Sequence, residues 1–149
     1  MKRPFSILGI AIVAVALALT QTAHADSAYT VEIRIIEARP VAGGVDPQLK
    51  RYERDFKNLP YKSFTQLDAH TKRVRKGETV SMQFPGPGRR FLKVRANGTK
   101  GDKHGFKLSI DALRFNSTVR IPDNGTVIVA GPKHGNGVIM LAITARQDG

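Results

Sequence analysis

The amino-acid sequence predicts a mainly β protein: an antiparallel β-sandwich or partly open barrel with one short N-terminal helix. Three observations lead there. Apolar residues alternate with polar ones along short runs, as in Val80, Met82 and Phe84 against Thr79, Ser81 and Gln83, or Phe106, Leu108 and Ile110 against Lys107 and Ser109. That is the period of a half-buried strand. The runs are separated at close intervals by Lys76-Gly77, Pro85-Gly86-Pro87-Gly88, Asn97-Gly98 and Asp123-Asn124-Gly125, where Asn and Gly accept the positive φ that hairpin turns require. Only one stretch beyond residue 25 has helical spacing. Many short strands at such intervals make a sandwich or a barrel.

Taken in order, residues Tyr29 to Ala38 set Val31, Ile33 and Ile35 on one face of a strand and Thr30, Glu32 and Arg34 on the other. Pro40 to Val45, with Gly43-Gly44, interrupts it. Asp46-Pro47 has the form of a helix start, Asp as N-cap and Pro at the first helical position. Leu49, Tyr52, Glu53 and Phe56 then recur at helical spacing, so a helix is expected over Pro47 to Asn58, closed before Leu59-Pro60. Its Lys50, Arg51, Arg54 and Lys57 read as a solvated face. Further strands are expected at Ser63 to Ala69, Thr71 to Arg75, Glu78 to Phe84, Arg89 to Ala96, Phe106 to Leu113, Ser117 to Ile121, Thr126 to Ala130 and Val138 to Ala145. Val127-Ile128-Val129 and Val138 to Ile143 are nearly all apolar and are expected to be central strands. Phe84, Phe91 and Phe106 fall on expected core faces.

The first 25 residues read as a cleavable signal peptide. Lys2 and Arg3 precede an apolar run from Ile7 to Leu19, and Ala23-His24-Ala25 supplies small residues at both recognition positions of a signal peptidase site. The run is shorter than the roughly 20 residues a membrane span needs. Cleavage after Ala25 would leave residues 26–149, 124 of the 149, as a single β-rich domain of periplasmic or secreted location, with no transmembrane segment. There is no cysteine, which excludes disulfides, thiol chemistry and thiolate metal sites.

Of the 24 basic residues two lie in the leader, leaving 22 against 12 acidic and a net charge of +10. For an exported protein this excess points to anionic envelope polymers or lipid surfaces before nucleic acid. The densest run is Lys72-Arg73-Val74-Arg75-Lys76, followed by Arg89-Arg90 with Lys93 and Arg95. These are either one binding face or the basic protection of an edge strand. The candidate ligand-binding residues are Arg73, Arg75, Arg89, Arg90, Lys93 and Lys133, the last in the Gly-rich segment Gly131 to Gly137, read as a loop joining two core strands. That segment lacks the Gly-Lys-Ser/Thr and following helix of a phosphate-binding P-loop.

Catalytic signals are sparse. His70 and His104 each follow an Asp by two residues, Asp68 and Asp102, and residues two apart share a face of a strand. A metal or hydrolytic centre would require His70, His104 and His134 to converge. No Gly-x-Ser-x-Gly occurs. Neither a resident metal nor a cofactor is expected.

Gly43-Gly44-Val45-Asp46-Pro47-x-Leu49, Tyr61-Lys62-Ser63-Phe64, Leu67-Asp68, Gly77, Gly88-Arg89-Arg90-x-Leu92-Lys93-Val94 and Gly131 with Val138 to Ile143 together resemble a family of uncharacterised exported bacterial proteins. The resemblance spans nearly all of residues 26–149 and implies export and one-domain organisation, without an activity. A second, shorter stretch, Thr118 to Ile121, Asp123-Asn124-Gly125-Thr126 and Val127 to Gly131 before the apolar strand ending Ile143-Thr144, is similar to the end of the outer-membrane secretin pore domain. It implies a role beside envelope secretion machinery, in a chain too short to be a secretin. The leading expectation is an exported, non-enzymatic module that binds anionic envelope material or an envelope protein through a basic face. The alternatives are a small metal-dependent or hydrolytic enzyme built on the three histidines, and an accessory of secretion machinery.

Overall fold

The computed structural model describes residues 27–149; the expected signal peptide and its cleavage site lie outside them. Two sheets face each other. One holds five strands in the order β2-β3-β1-β9-β8, formed by Gly44–Val45, Ser63–Arg75, Ala28–Arg39, Gly137–Gln147 and Gly125–His134. The other holds four in the order β4-β5-β6-β7, formed by Thr79–Gln83, Phe91–Lys100, Lys103–Ile110 and Phe115–Pro122. All strand pairings among the described residues are antiparallel except the two-residue β2 against β3, and an isolated parallel bridge joins Lys76 to Ala96. The predicted mainly β sandwich is what forms. Among the described residues no helix is long and apolar enough to cross a membrane.

Alternation builds the core between the sheets. Tyr29, Val31, Ile33 and Ile35 of β1 and Ile139, Leu141 and Ile143 of β9 meet Leu92, Val94, Phe106, Leu108 and Ile121 of the second sheet. The near-continuous apolar run of β9 has a separate explanation. Its other face, Val138, Met140 and Ala142, is covered together with Ile36 and Ala38 of β1 by a helical segment carrying Leu49, Tyr52 and Phe56. A strand buried on both sides cannot alternate. The segment starts as expected: Asp46 Oδ1 accepts from the Gln48 amide at 3.2 Å with Pro47 in the first turn. It is tighter and shorter than Pro47 to Asn58, being a 3-10 helix over Pro47–Tyr52 and one α turn, α1, over Glu53–Phe56. Phe56 stacks flat on Phe64, ring centroids 4.0 Å apart, which anchors the segment to β3.

Several elements differ from their sequence prediction. The two strands expected around His70 are one 13-residue strand, β3. Asn97-Gly98 is no hairpin turn: β5 runs on to Lys100, with a bulge between Ala96 and Gly98, and the turn falls at Gly101-Asp102. β6 stops at Ile110, and Asp111–Leu113 forms a 3-10 turn. The Gly-rich segment is also strand. β8 continues through a bulge at Gly131 and Pro132 to His134, and the turn is Gly135-Asn136. β9 is central but β8 is the edge of its sheet; its apolar character comes from Val127 and Val129 packing on the sandwich core and Ile128 on the second core. Phe91 is 46% exposed, on the outer face of the four-stranded sheet and not in the core.

Candidate functional site

The register of the four-stranded sheet decides which side chains share its outer face. With Val94, Leu108 and Phe106 turned inward, Arg95 and Lys107 are direct partners facing out, flanked by Thr79 on β4 and Thr118 on β7. The next row reads Ser81, Lys93, Ser109 and Asn116. In the other direction come Gly98, Gly105 and Arg120, then Lys100 opposite Lys103. Cations therefore concentrate on the two middle strands, with hydroxyl and amide side chains on the outer two. At about 4.8 Å between strands and 3.3 Å per residue the face is about 14 Å wide, with cations spread over about 20 Å of its length.

Two shallow depressions run along this face. One, of about 230 Å³, is lined by Thr79, Lys93, Arg95, Lys107, Ser109 and Asp111. The other, of about 190 Å³, is lined by Asn97, Gly98, Lys100, Lys103, Gly105, Thr118 and Arg120. Lys93 Nζ lies 2.6 Å from Asp111. Among the described residues, Arg95, Lys100, Lys103, Lys107 and Arg120 make no ion pair, and all five are exposed. Like charges directly opposed across a strand pair destabilise a sheet, and here two such pairs, Arg95 with Lys107 and Lys100 with Lys103, sit in register.

On the five-stranded sheet part of the charge is paired; Lys72, Arg75, Lys133 and Arg146 make no ion pair among the described residues, but no two of its bases are direct cross-strand partners. Glu32 pairs with Arg34 and Arg51 at 2.9 and 2.7 Å, and Arg73 with Asp148 at 3.0 Å. Only Lys93 of the six residues chosen from sequence lies on the outer face of the four-stranded sheet. Arg89 and Arg90 sit in the turn before β5, the Arg90 guanidinium folded over Gly86. Arg73, Arg75 and Lys133 belong to the other sheet. Among the described residues β3 pairs only with β1 beyond Phe64, so Lys72 to Arg75 lies along an open strand edge, the place where basic residues block pairing with another chain. Sequence reasoning missed Lys100, Lys103, Lys107 and Arg120 because they are scattered along the chain. The available signal was that each occupies an outward position of an alternating strand.

The three histidines do not converge. His104 lies beside Tyr29, His70 opposite Ile33 and His134 beside Glu37, at four-residue intervals along β1, so neighbours are about 13 Å apart. His70 Nε2 lies 3.0 Å from Asp68 but too poorly aligned for a hydrogen bond, and has no other partner. His134 Nε2 lies 2.8 Å from the buried Glu37, which also holds Arg39 at 2.7 Å. Among the described residues no group of three His, Cys, Asp or Glu could hold a metal ion.

His104 has the most partners. Its ring is buried, with Nδ1 2.8 Å from Thr99 Oγ1 and Nε2 2.9 Å from Asp123 Oδ1, and the Tyr29 hydroxyl lies 2.7 Å from the same Thr99 oxygen. Asp123 Oδ1 also accepts from the Gln147 amide at 2.8 Å. That amide first, and His104 second, hold the Asp123 carboxyl below its usual range. Hydroxyl, imidazole and carboxylate in line are a hydrolase's components, but the imidazole of His104 is buried and neither it nor Thr99 lines a depression. The chain ties β1, β5, β6, the turn after β7 and β9 together, closing one end of the sandwich.

Comparison with protein-family models, with curated proteins and with solved structures finds no match.

Proposed function

We propose that this chain is an exported, non-enzymatic module that binds an anionic polymer of the cell envelope through the outer face of its four-stranded sheet. The observation that carries the reading is the pair of in-register cation pairs, Arg95 with Lys107 and Lys100 with Lys103, left without counter-charges. A sequence selected for stability alone would set opposite charges there, since cross-strand pairs contribute about 0.2–1 kcal/mol either way. A polyanion laid along the face supplies the missing charge. The flanking Thr79, Ser81, Asn116 and Thr118 offer hydrogen bonds to hydroxyl-bearing or ester-bearing repeats, and Phe91 an apolar ring face at one end. Among the described residues Phe91 is the one large apolar side chain exposed on this face, too little to anchor in a bilayer, which favours a polymer over a lipid surface. A single exposed aromatic gives no series of stacking platforms for nucleic acid.

The test is retention of the purified domain on anionic envelope polymer across a salt series, beside anionic lipid vesicles and a polynucleotide. Polymer retention that falls steeply with salt, and is lost in Arg95→Gln/Lys107→Gln but kept in Arg73→Gln/Lys133→Gln, supports the reading. Salt-insensitive retention, equal loss in both double variants, or preference for vesicles or polynucleotide would overturn it.

A further inference from the structure

Resting on that reading, and naming the chemistry the face selects, we infer that the depression between Gly98, Gly105 and Arg120 is a discrete subsite for a tetrahedral oxyanion ester, a phosphate or sulfate carried by the polymer. Gly98 and Gly105 are cross-strand partners. Two glycines in register remove both side chains from one row of the sheet, so the floor is bare backbone at the level of the strands. Gly98 has φ +100 at the bulge, a conformation that excludes other residues. Gly105 has no such constraint: a Cβ there would meet only Gly98 O at 3.5 Å and Asn97 Cβ at 3.6 Å, both ordinary contacts. Its lack of a side chain therefore preserves the space and is not demanded by the backbone.

The walls are cationic on several sides. Lys100 and Lys103 close one end, Arg120 stands on β7, and Thr118 adds a hydroxyl. Lys76 packs its aliphatic stem against Gly98, Cε 2.9 Å from where a Gly98 Cβ would be, and does not line the depression. Asp102 is exposed in the turn, does not line the depression and makes no ion pair among the described residues. Donors arriving from different directions suit a pendant monoester, whose phosphate or sulfate presents three terminal oxygens with one or two charges. A carboxylate, planar with two oxygens, is satisfied by one arginine fork and uses only part of this ring. Elsewhere on the face the cations act as a diffuse field; here they surround a hole.

Gly105→Val tests this without altering charge, filling the hole with a residue that favours strands. The probes are a polymer carrying phosphomonoester groups, a sulfated glycan and a polyglucuronate, with free inorganic phosphate followed by amide chemical shifts. Wild-type protein should prefer the phosphate or sulfate polymer over polyglucuronate by about tenfold at equal charge density, the value of one good charge-assisted contact. Phosphate should shift Gly98, Gly105 and Arg120 before Lys93 or Arg95. Gly105→Val should lose the preference while keeping salt-dependent polyglucuronate binding and an unchanged melting profile. Should the valine variant fold poorly, Arg120→Gln should lose the preference as well, with polyglucuronate binding weakened only by the loss of one charge from the face, about fivefold. Equal binding of all three polymers by wild type, or an unchanged preference in both variants, overturns the subsite and leaves the binding face standing. Loss of all polymer binding by wild type overturns the face as well. Of the two tetrahedral polymers, the one bound more tightly identifies the ester.

Discussion

If Arg95 and Lys107 face each other for the sake of a ligand, replacing one with an acid should strengthen the fold and weaken binding. Lys107→Glu is the sharpest case. The residue is exposed, directly opposite Arg95 and flanked by Thr118, with no counter-charge of its own among the described residues. The substitution exchanges a like-charge pair for an opposite-charge pair, worth about 0.2–1 kcal/mol of stability at low salt. For a domain of this size that corresponds to a rise in melting temperature of about 1–5 °C, shrinking as salt screens the pair. Binding should move the other way. Two units of charge are removed from the face at about 1 kcal/mol each, so affinity for an anionic polymer should fall about 30-fold. The assays are thermal unfolding at low and high salt and retention on the polymer. Lys133→Glu makes the same charge change on the other sheet and serves as control. A Lys107→Glu protein that melts no higher than wild type at low salt, or that loses no more affinity than Lys133→Glu, refutes the reasoning.

Two further outcomes follow from the structure. The Asp123 carboxyl is held below its usual value of 3.8 by the Gln147 amide and His104, with a smaller contribution from Arg146. A depressed native pKa gives stability that is present above the unfolded value and lost as pH falls through the native one. Acid unfolding monitored below pH 4 should therefore be shallower in Asp123→Asn than in wild type, and equal slopes would dismiss the contact as unimportant. Gly137 begins β9 where a Cβ would run into the Ala38 carbonyl oxygen, so Gly137→Ala should destabilise by about 2–4 kcal/mol through forced separation of β1 and β9. Chemical denaturation measures it, and a change under 0.5 kcal/mol would mean that the strands adjust freely.

Much of this fold could be read from the sequence because alternation reports burial directly. β4 and β6 show it cleanly, and the Asp46-Pro47 start of the helical segment is a local device that needs no tertiary context. Misreadings arose where tertiary context overrides local pattern. Asn97-Gly98 has the chemistry of a turn, yet a bulge uses it equally well, and the extra strand residues place Lys100 opposite Lys103. Val127-Ile128-Val129 looks central because it is apolar, but it packs both sides of an edge strand against two different cores. The proposed binding face was hidden for a related reason. Density along the chain singled out Lys72 to Lys76, of which Lys72 to Arg75 lie along an open strand edge, whereas the cations of the four-stranded sheet are spread singly over β5, β6 and β7. Only strand register brings Arg95, Lys107 and Arg120 onto one surface, and register is set by partners distant in sequence.

Which sheet meets the ligand is tested most directly by mapping amide chemical shifts of the domain as an anionic envelope polymer is added at low salt. Perturbations concentrated in β5, β6 and β7, around Arg95, Lys107 and Arg120, and reversed by salt, are the predicted result. Perturbations centred on β3 and β8, or spread evenly over both sheets, would contradict it.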